Sequence, residues 1–581
     1  MLLGKHTDKK RKTEKERPGR GFWPIMLLAV LSMLTSCNFF DADDICPDNA
    51  YSGDSLYVKL TIEIPTDQNY TRADETPNGG EEGDGWEYGR DYENKLHDFT
   101  VFVISSESGI NSIAETPIFA SKYFSEDDVR KADSISKNLQ LKDYTVTPAK
   151  YILTYDFKIP VVQGLIRELP KVETFRFIVV ANNGDLTRQF TRLGELRDAQ
   201  PTKTWTDDET DGPVRFVMTN ENDKYYVNGY GSEEDPVRMH VTIERMAARI
   251  DYDPTNATLI QETGKSDKTI VYTFNDEKTP TTALAQFYLD RMAVFNACQK
   301  PSYYIKRVAN DINSTSPTYL GDETPTPRGI ATNYVIDPYS TQKTEANRSD
   351  DSGLLTTLFA DTRISQATAL LASTDGNPPA LTETSKPVTI AYVNENTYTK
   401  EMAQKEYSTG IVVKGRYEPL HDFYTAYDKE SGTLTAGTYT TGQDFWMVEP
   451  SQDTEVTTTE TTTTTTDRSY TAISEADRHY FSTEAAAIAY ATDTRHKHYG
   501  RVVKYTGGVC YYFFYLRHSN NVAVIHDTME FGIVRNNIYR FKIEAATGPG
   551  TPDADPRHPE ELKASVYVKK WILVNHPLIY V

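Results

Sequence analysis

Cysteine is scarce in this chain, with four residues in 581. Cys37 and Cys46 lie near the N-terminus, whereas Cys298 and Cys510 are far apart in the sequence. Neither pair has the CxxC spacing of a zinc cluster, and four cysteines are too few for a disulfide framework in a chain of this length. Cys298 and Cys510 could form a disulfide in an oxidising compartment, or both could remain buried free thiols.

Basic residues are fewer than acidic ones, and long apolar runs are also few. Lys and Arg number 62 against 83 Asp and Glu, which gives a formal net charge of −21. Because phosphate backbones are bound by basic surfaces, this balance argues against nucleic acid as a partner. After residue 37 no apolar run reaches the ~20 residues that a membrane-spanning helix needs.

Sequence signatures of catalysis are missing as well. The chain has no HExxH motif, Walker A loop, dinucleotide glycine fingerprint or nucleophile elbow, so we expect no enzyme and no cofactor. His496 and His498 would face one side of a strand, but cationic neighbours flank them and we expect no metal site. A secreted hydrolase with two spatially paired carboxylates remains an alternative, because such a pair leaves no pattern in the sequence.

The N-terminus carries the features of an export signal. A basic run precedes an apolar stretch from Gly21 to Leu34, and small residues then lead to Cys37. The segment Leu34-Thr35-Ser36-Cys37 resembles the lipobox of bacterial lipoproteins, in which the cysteine is acylated. A short membrane anchor is the alternative, although the stretch is too short to span a bilayer. Asp41, Asp43 and Asp44 resemble a surface-export tag, with a solvated acidic tether as the alternative. We expect an outer-membrane lipoprotein precursor on the cell surface.

Period-two alternation of apolar and other residues dominates the chain beyond this signal, and it predicts half-buried strands. The first strand alternates cleanly from Leu56 to Ile64. Further strands are predicted at 99–104, 153–159, 175–181, 237–243, 388–393, 411–417, 510–516, 538–543 and 566–574. Helical patterns are short and occur at 127–139 and 483–491. Because Gly, Pro and Asn separate the strands, we predict an all-β protein of β-sandwiches with a few short helices.

Two segments have the composition of exposed connections. Between Pro65 and Glu93 the residues are mostly polar or glycine, which cannot pack a core. The tract from Thr457 to Thr466 is almost pure threonine and is predicted to be an exposed loop. A domain boundary is expected within 251–266, after the strand that ends at Arg245.

Arg72 lies directly behind the first strand, in the first of these connections. It is the first basic residue after Lys59, in a segment that a protease could reach. A cut there would separate one strand from its sandwich and leave unpaired backbone groups, which are a template for a strand of another chain. The alternative is an ordinary strand and loop, with Arg72 a solvated side chain.

Short blocks along most of the chain resemble the fimbrillins of Bacteroidales, the type V pilins, and among them shaft subunits of the minor (short) fimbria. Each block is short, and their common order along the chain carries the resemblance. They are the lipobox at Cys37, Thr71-Arg72-Ala73, LHDFTVFV (96–103), FIVVAN (177–182), IERMAARI (243–250), FN (295–296), YYIKR (303–307), NYVIDP (333–338), IVVKGRY (411–417) and MEFGIVRNNIYR (529–540).

This resemblance implies assembly rather than catalysis. An Arg-specific protease would cut between Arg72 and Ala73, and the C-terminal strand of one subunit would fill the groove opened in the next. The donor would lie in the terminal strand, with the candidate residues Val566, Val568, Ile572 and Val574. Lys570 interrupts that face and leaves the donor register open. The terminal strand could also simply complete its own domain.

The implied architecture is two transthyretin-like β-sandwich domains in tandem. A signal peptide at 1–37 and a propeptide at 38–72 would precede an N-terminal domain at 73–255 and a C-terminal domain at 256–581. The implied partners are identical subunits, accessory and anchor fimbrial subunits, and receptors on host or bacterial surfaces. The polymer would support adhesion and biofilm formation. The alternatives are an anchor, accessory or tip subunit of the same family, and a tethered glycan-binding lipoprotein.

Overall fold

The computed structural model describes residues 55–63, 86–105, 115–131, 152–160, 174–207, 213–221, 225–228, 235–264, 266–276, 279–309, 318–319, 334–349, 353–373, 376–402, 406–449, 456–460, 463–467, 478–496, 501–518, 529–546, 548–554 and 562–572. Cys37, Arg72, Ala73, His498 and Val574 lie outside this part of the chain. Ser55–Val581 form one compact unit.

The alternating segments of the N-terminal half form a single eight-stranded sheet. In chain order the strands here are β1 (Ser55–Glu63), β2 (Trp86–Tyr88), β3 (Phe99–Ser105), β4 (Ile118–Phe124), β5 (Ile152–Pro160), β6 (Thr174–Ala181), β7 (Trp205–Asp207), β8 (Val214–Phe216), β9 (Met218–Asn220), β10 (Tyr226–Asn228) and β11 (Val237–Arg245). The sheet has the order β4-β3-β6-β9-β11-β1-β5, and β10 pairs with β6. Strands β7 and β8 pair with each other. The short strand β2 belongs to a different sheet.

The C-terminal half contains the remaining strands. They are β12 (Ala248–Asp253), β13 (Thr258–Ile260), β14 (Thr269–Asn275), β15 (Ala283–Phe295), β16 (Arg307–Ala309), β17 (Thr318–Tyr319), β18 (Tyr334–Val335), β19 (Val388–Val393), β20 (Gly410–Pro419), β21 (Phe423–Asp428), β22 (Thr433–Ala436), β23 (Phe445–Glu449), β24 (Val456–Glu460), β25 (Thr463–Asp467), β26 (His479–Phe481), β27 (Arg501–Tyr505), β28 (Val509–Tyr515), β29 (Asn537–Ala546) and β30 (Leu562–Ile572).

Two five-stranded sheets of this half face each other as a β-sandwich. One has the order β19-β12-β29-β30-β2 and the other β13-β14-β15-β20-β28. Their inward side chains share one buried cluster, in which Phe541 of β29 lies against Phe514 of β28 with ring centroids 5.3 Å apart. A third sheet, β22-β21-β26-β23-β27, contributes Phe445 and Tyr480 to the same cluster. The sandwich therefore begins at β12 and takes one strand, β2, from far earlier in the chain.

The helices are few and short. They are α1 (Leu193–Asp198), α2 (Leu354–Phe359), α3 (Ala367–Ala372) and α4 (Glu484–Ala491), and residues 126–131 are also helical. Single 3₁₀ turns occur at Asp91–Asn94, Ser340–Gln342, Glu345–Asn347, Ala360–Thr362, Ile364–Gln366, Lys400–Met402 and Thr506–Gly508. Thr483 caps α4 by accepting a hydrogen bond from the Ala486 amide at 3.3 Å. Of the helices that the structure describes, none has both the length and the apolarity to cross a membrane.

The prediction of an all-β protein with β-sandwich packing is confirmed. Each strand predicted from alternation coincides with an observed strand, within a few residues at its ends. The threonine tract was predicted to be a loop, and this was wrong: β24 and β25 form an antiparallel hairpin there. Threonine is β-branched and favours extended backbone, so composition alone was a poor guide in this segment.

Candidate functional site

The first strand is an internal strand of the N-terminal sheet. Over its whole length β1 pairs antiparallel with β5, from Ser55 opposite Pro160 to Glu63 opposite Ile152. On its other edge it pairs parallel with β11, from Val58 opposite Val237 to Glu63 opposite Thr242. Among the described strands, β5 has no other partner than β1. Removing β1 would therefore leave unpaired backbone on both neighbouring strands.

The alternating side chains of β1 supply part of the core. Val58, Leu60 and Ile62 are 1%, 0% and 2% exposed. Burial of each such side chain stabilises a fold by roughly 1.5–3 kcal/mol. A chain without β1 would thus carry an apolar groove between β5 and β11, bounded by free backbone donors and acceptors.

Leu60→Ala is expected to destabilise the full-length chain by about 2–5 kcal/mol, because it removes buried methyl groups from a packed strand. The measurement is urea unfolding of the uncut chain. Leu420→Ala makes the same chemical change at a side chain that is 50% exposed, and it should shift stability by less than about 0.5 kcal/mol. Equal effects at the two positions would show that β1 does not contribute to the core.

The C-terminal strand occupies its own sandwich in this structure. β30 pairs antiparallel with β29, and Val566 and Val568 are 2% and 0% exposed within the shared core. The backbone of Ile572 pairs with that of Tyr88 in β2. Two of the four candidate donor residues are therefore buried inside the subunit, and Val574 lies outside the described residues. The candidate donor strand and the candidate groove belong to different sheets of the same chain.

A group of charged residues lies where β2 meets the sandwich; we call Glu87, Glu93, Arg249, Asp251 and Arg540 the Glu87 cluster. The Glu87 carboxylate accepts a hydrogen bond from Arg249 at 2.8 Å and pairs with Arg540. Arg249, 3% exposed, also donates to Glu93 at 2.8 Å and to Asp251 at 3.0 Å. Burial lowers the pKa of Arg249, but the facing Asp251 and Glu93 carboxylates more than offset this and the pKa lies above its ordinary value. The cluster therefore ties β2 to β12 and β29.

A second group of buried charges joins the N-terminal sheet to the sandwich. Arg535 and Glu395 are both 1% exposed and form a two-point ion pair at 2.9 and 2.8 Å. Arg535 also donates to the carbonyl oxygens of Tyr303 and Tyr304, at 2.6 and 3.1 Å. Tyr304 packs in the N-terminal core beside Phe102 and Ile178. Because these charged groups are buried and their hydrogen-bonding atoms have several partners, they favour a rigid arrangement of the N-terminal sheet against the sandwich.

Cys298 and Cys510 are both buried and do not form a disulfide with each other. Of the two alternatives left by the sequence, the structure thus has the buried thiols. Burial raises the pKa of the Cys298 thiol to about 11, which disfavours the thiolate and makes this cysteine a poor nucleophile.

His496 lies in an aromatic contact. Its Nε2 is 3.0 Å from the Tyr427 hydroxyl, and its ring centroid is 3.9 Å from that of Tyr490. Within the described residues no group of three or more His, Cys, Asp or Glu could hold a metal ion. His496 therefore packs against Tyr427 of the third sheet and Tyr490 of α4.

The sequence patterns do not predict a role for β2 or for the Glu87 cluster. A signal was present, because Arg245 and Arg249 stand among apolar residues in the block IERMAARI. Arginine is rarely buried unless it is paired, so such positions indicate buried ion pairs. The partners could not be predicted, since Glu87 and Arg540 lie at opposite ends of the chain.

One protein-family model matches the C-terminal segment of the chain. Residues 503–577, which include β28, β29 and β30, match the model of a family described as "Major fimbrial subunit protein type IV, Fimbrillin, C-terminal". No curated protein sequence matches the chain.

Among solved structures, a fimbrilin from Porphyromonas gingivalis is 13% identical, with a TM-score of 0.33, covering 90% of this chain and 99% of that one. A tip fimbrial protein from the same organism, with a C-terminal truncation, is 8% identical, with a TM-score of 0.29, covering 89% of this chain and 100% of that one. The family match is confined to residues 503–577, which are similar to the C-terminal part of fimbrillins, and it agrees with the resemblance found in the sequence.

Proposed function

We propose that this chain is a structural subunit of a cell-surface fimbria that polymerises by strand exchange after proteolysis. The fimbrillin segment at 503–577 supports the fimbrial role. The observation that carries the mechanism is the position of β1, an internal strand whose removal opens a groove between β5 and β11. A lost edge strand would leave no such groove, because only one neighbour would be unpaired.

In this mechanism the first strand is a temporary cap. The precursor is acylated at Cys37, crosses to the outer membrane and is cut between Arg72 and Ala73 by an Arg-specific protease. The cut removes the acylated Cys37 together with residues 38–72, which contain β1. The mature subunit, 73–581, then has an apolar groove that no strand of its own fills.

The occupant of this groove is the C-terminal strand of a second copy. Val566 and Val568 face one side of β30 and are already buried against apolar residues. Ile572 and Val574 continue the same alternation toward the end of the chain. Because β30 is held in its own sandwich, exchange requires it to leave β29, at the cost of nine registered residue pairs. The interactions it gains in the groove of the next subunit must offset that loss.

A terminal subunit, such as an anchor, accessory or tip protein, is the second candidate. The observation that favours it is the pairing of β30 within its own chain, with β29 over Leu562–Lys570 and with β2 over Lys570–Ile572. A subunit that ends a polymer needs only one of the two exchange partners, so it can retain this strand. In either role the polymer would mediate attachment to host or bacterial surfaces and support biofilm formation.

The test is the intact mass and N-terminal residue of the protein sheared from cells. A chain that begins at Ala73 and runs as high-mass polymers supports the proposed shaft subunit. A chain that begins at Ala73 but stays monomeric favours an accessory or tip subunit. A chain that keeps an acylated Cys37 and never polymerises contradicts the proposal and favours an anchor or a tethered glycan-binding lipoprotein.

A further inference from the structure

β30 is paired on both of its edges. On one side it pairs with β29. On the other it pairs parallel with β2, with Trp86 opposite Lys570, Glu87 opposite Trp571 and Tyr88 opposite Ile572. These contacts lie at the C-terminal end of β30, which is the end from which a terminal strand would begin to peel away.

β2 has little backbone pairing of its own. It is three residues long, and β30 is its partner in the sheet. An isolated strand of this length would not stay on a sheet edge without further contacts. The further contact is Glu87, 27% exposed, whose carboxylate is held by Arg249 and Arg540 from β12 and β29.

The contacts of Glu87 join β2 to strands on the other side of β30. Arg249 lies in β12 and Arg540 in β29, whereas Glu87 lies in β2 on the far side of β30. Arg249 is itself held by Glu93, which is fully buried and follows β2 in the chain. The C-terminal end of β30 therefore lies between β29 and a strand that is fastened to the sheet by partly buried ion pairs of Glu87 with Arg249 and Arg540.

We propose that β2 is a lock on the C-terminal strand and that Glu87 is its positioning residue. This inference rests on the proposed function, in which β30 is the donor. β30 cannot leave its own sheet until β2 unpairs from it. The lock is also joined to the groove by the chain itself, because β2 is the first described element after Arg72.

The same cut would then act on both exchange partners. In the uncut chain the segment before β2 is anchored in β1, so both ends of β2 are held. After the cut the segment before β2 is a free end at Ala73, and strands near a free terminus fray more readily. Cleavage would thus open the groove and loosen the lock that retains the donor.

A cross-strand disulfide tests the lock directly. Trp86→Cys and Lys570→Cys place two cysteines at paired positions of β2 and β30, and neighbouring strands lie about 4.8 Å apart, within the span of a disulfide. The full chain is cut at Arg72 in both redox states, and polymer is measured by light scattering. We expect the oxidised chain to stay monomeric and the reduced chain to polymerise like wild type.

The matched control is a disulfide elsewhere. Thr206→Cys and Arg215→Cys are paired positions of β7 and β8, and this chain should polymerise in both redox states. If the oxidised Trp86→Cys/Lys570→Cys chain also polymerises at the wild-type rate, β2 is not a lock. If the cut wild-type chain itself forms no polymer, the proposed function has failed. This outcome can be told apart from failure of the lock, because polymer is then missing from wild type and from every variant in both redox states.

Glu87→Gln tests the positioning residue. We expect about tenfold faster polymerisation of the cut chain. This corresponds to a loss of about 1.4 kcal/mol in the free energy that holds β30 in its own sheet. Glu262→Gln is the control, because Glu262 is a similarly half-buried carboxylate, 3.4 Å from Arg416, away from β30. Equal rates for Glu87→Gln and Glu262→Gln would overturn the role of Glu87.

Discussion

Replacing Arg72 with Ala is expected to leave the chain monomeric, with the acylated Cys37 and residues 38–72 still attached. The uncut chain keeps β1 between β5 and β11, so its groove is filled and its backbone edges are paired. Without a free groove there is no template for a second chain. The measurement is the mass and N-terminal residue of the protein sheared from cells, with the distribution of polymer sizes.

The charge-conserving change Arg72→Lys separates cleavage from charge. It keeps a positive side chain at this position but removes the guanidinium that an Arg-specific protease recognises. We expect it to behave like Arg72→Ala, with no polymer and no new N-terminus at residue 73. Polymers of normal size from the Arg72→Ala chain would contradict a role for the cut.

Glu395→Gln is expected to destabilise the chain by about 3–5 kcal/mol, because it leaves the buried Arg535 guanidinium without its counter-charge. Glu395 and Arg535 are each 1% exposed, so water cannot replace the lost partner. The measurement is urea unfolding of the full chain. Glu115→Gln, which removes an ion pair with Arg192 between two exposed side chains, is the control and should change stability little.

This pair also predicts a dependence on pH. Burial alone would raise the pKa of the Glu395 carboxyl, but the Arg535 guanidinium more than offsets burial, and the pKa lies below its ordinary value of 4.5. A lowered pKa in the folded state means that the contribution is present above 4.5 and is lost as pH falls through the folded value. The stability difference between wild type and Glu395→Gln should therefore shrink in acid below about pH 4.5. A difference that grows in acid would show that the pair does not hold its charge in the folded chain.

Local pattern predicted ten of the thirty strands that the structure describes, because alternation is a property of neighbouring residues. The segment around Val58, Leu60 and Ile62 shows this, since its apolar positions are the buried ones. β15 was not predicted, although it is thirteen residues long. Its alanine, leucine and methionine residues favour helix on their own, and it is a strand because β14 and β20 pair with its two edges.

Only part of the candidate site could be predicted before the fold was known. The terminal strand and Arg72 stand out in the sequence, because each has a local pattern or a distinctive neighbour. The parallel pairing of β1 with β11 could not be predicted, since it joins segments separated by most of the N-terminal half. Glu87 gave no signal at all, because a single acidic residue in a polar connection resembles a solvated side chain.

The sequence by itself determined the positions of ten strands, the all-β class and the fimbrillin resemblance, because each depends on residues close together in the chain. Only the tertiary structure decided which strands are neighbours: that β1 lies inside a sheet, that β30 completes its own sandwich, and that β2 closes over it. The physical reason is that strand pairing depends on packing between distant segments. It also depends on charges such as the buried Arg249 and the partly buried Arg540, which find partners only when the whole chain has folded.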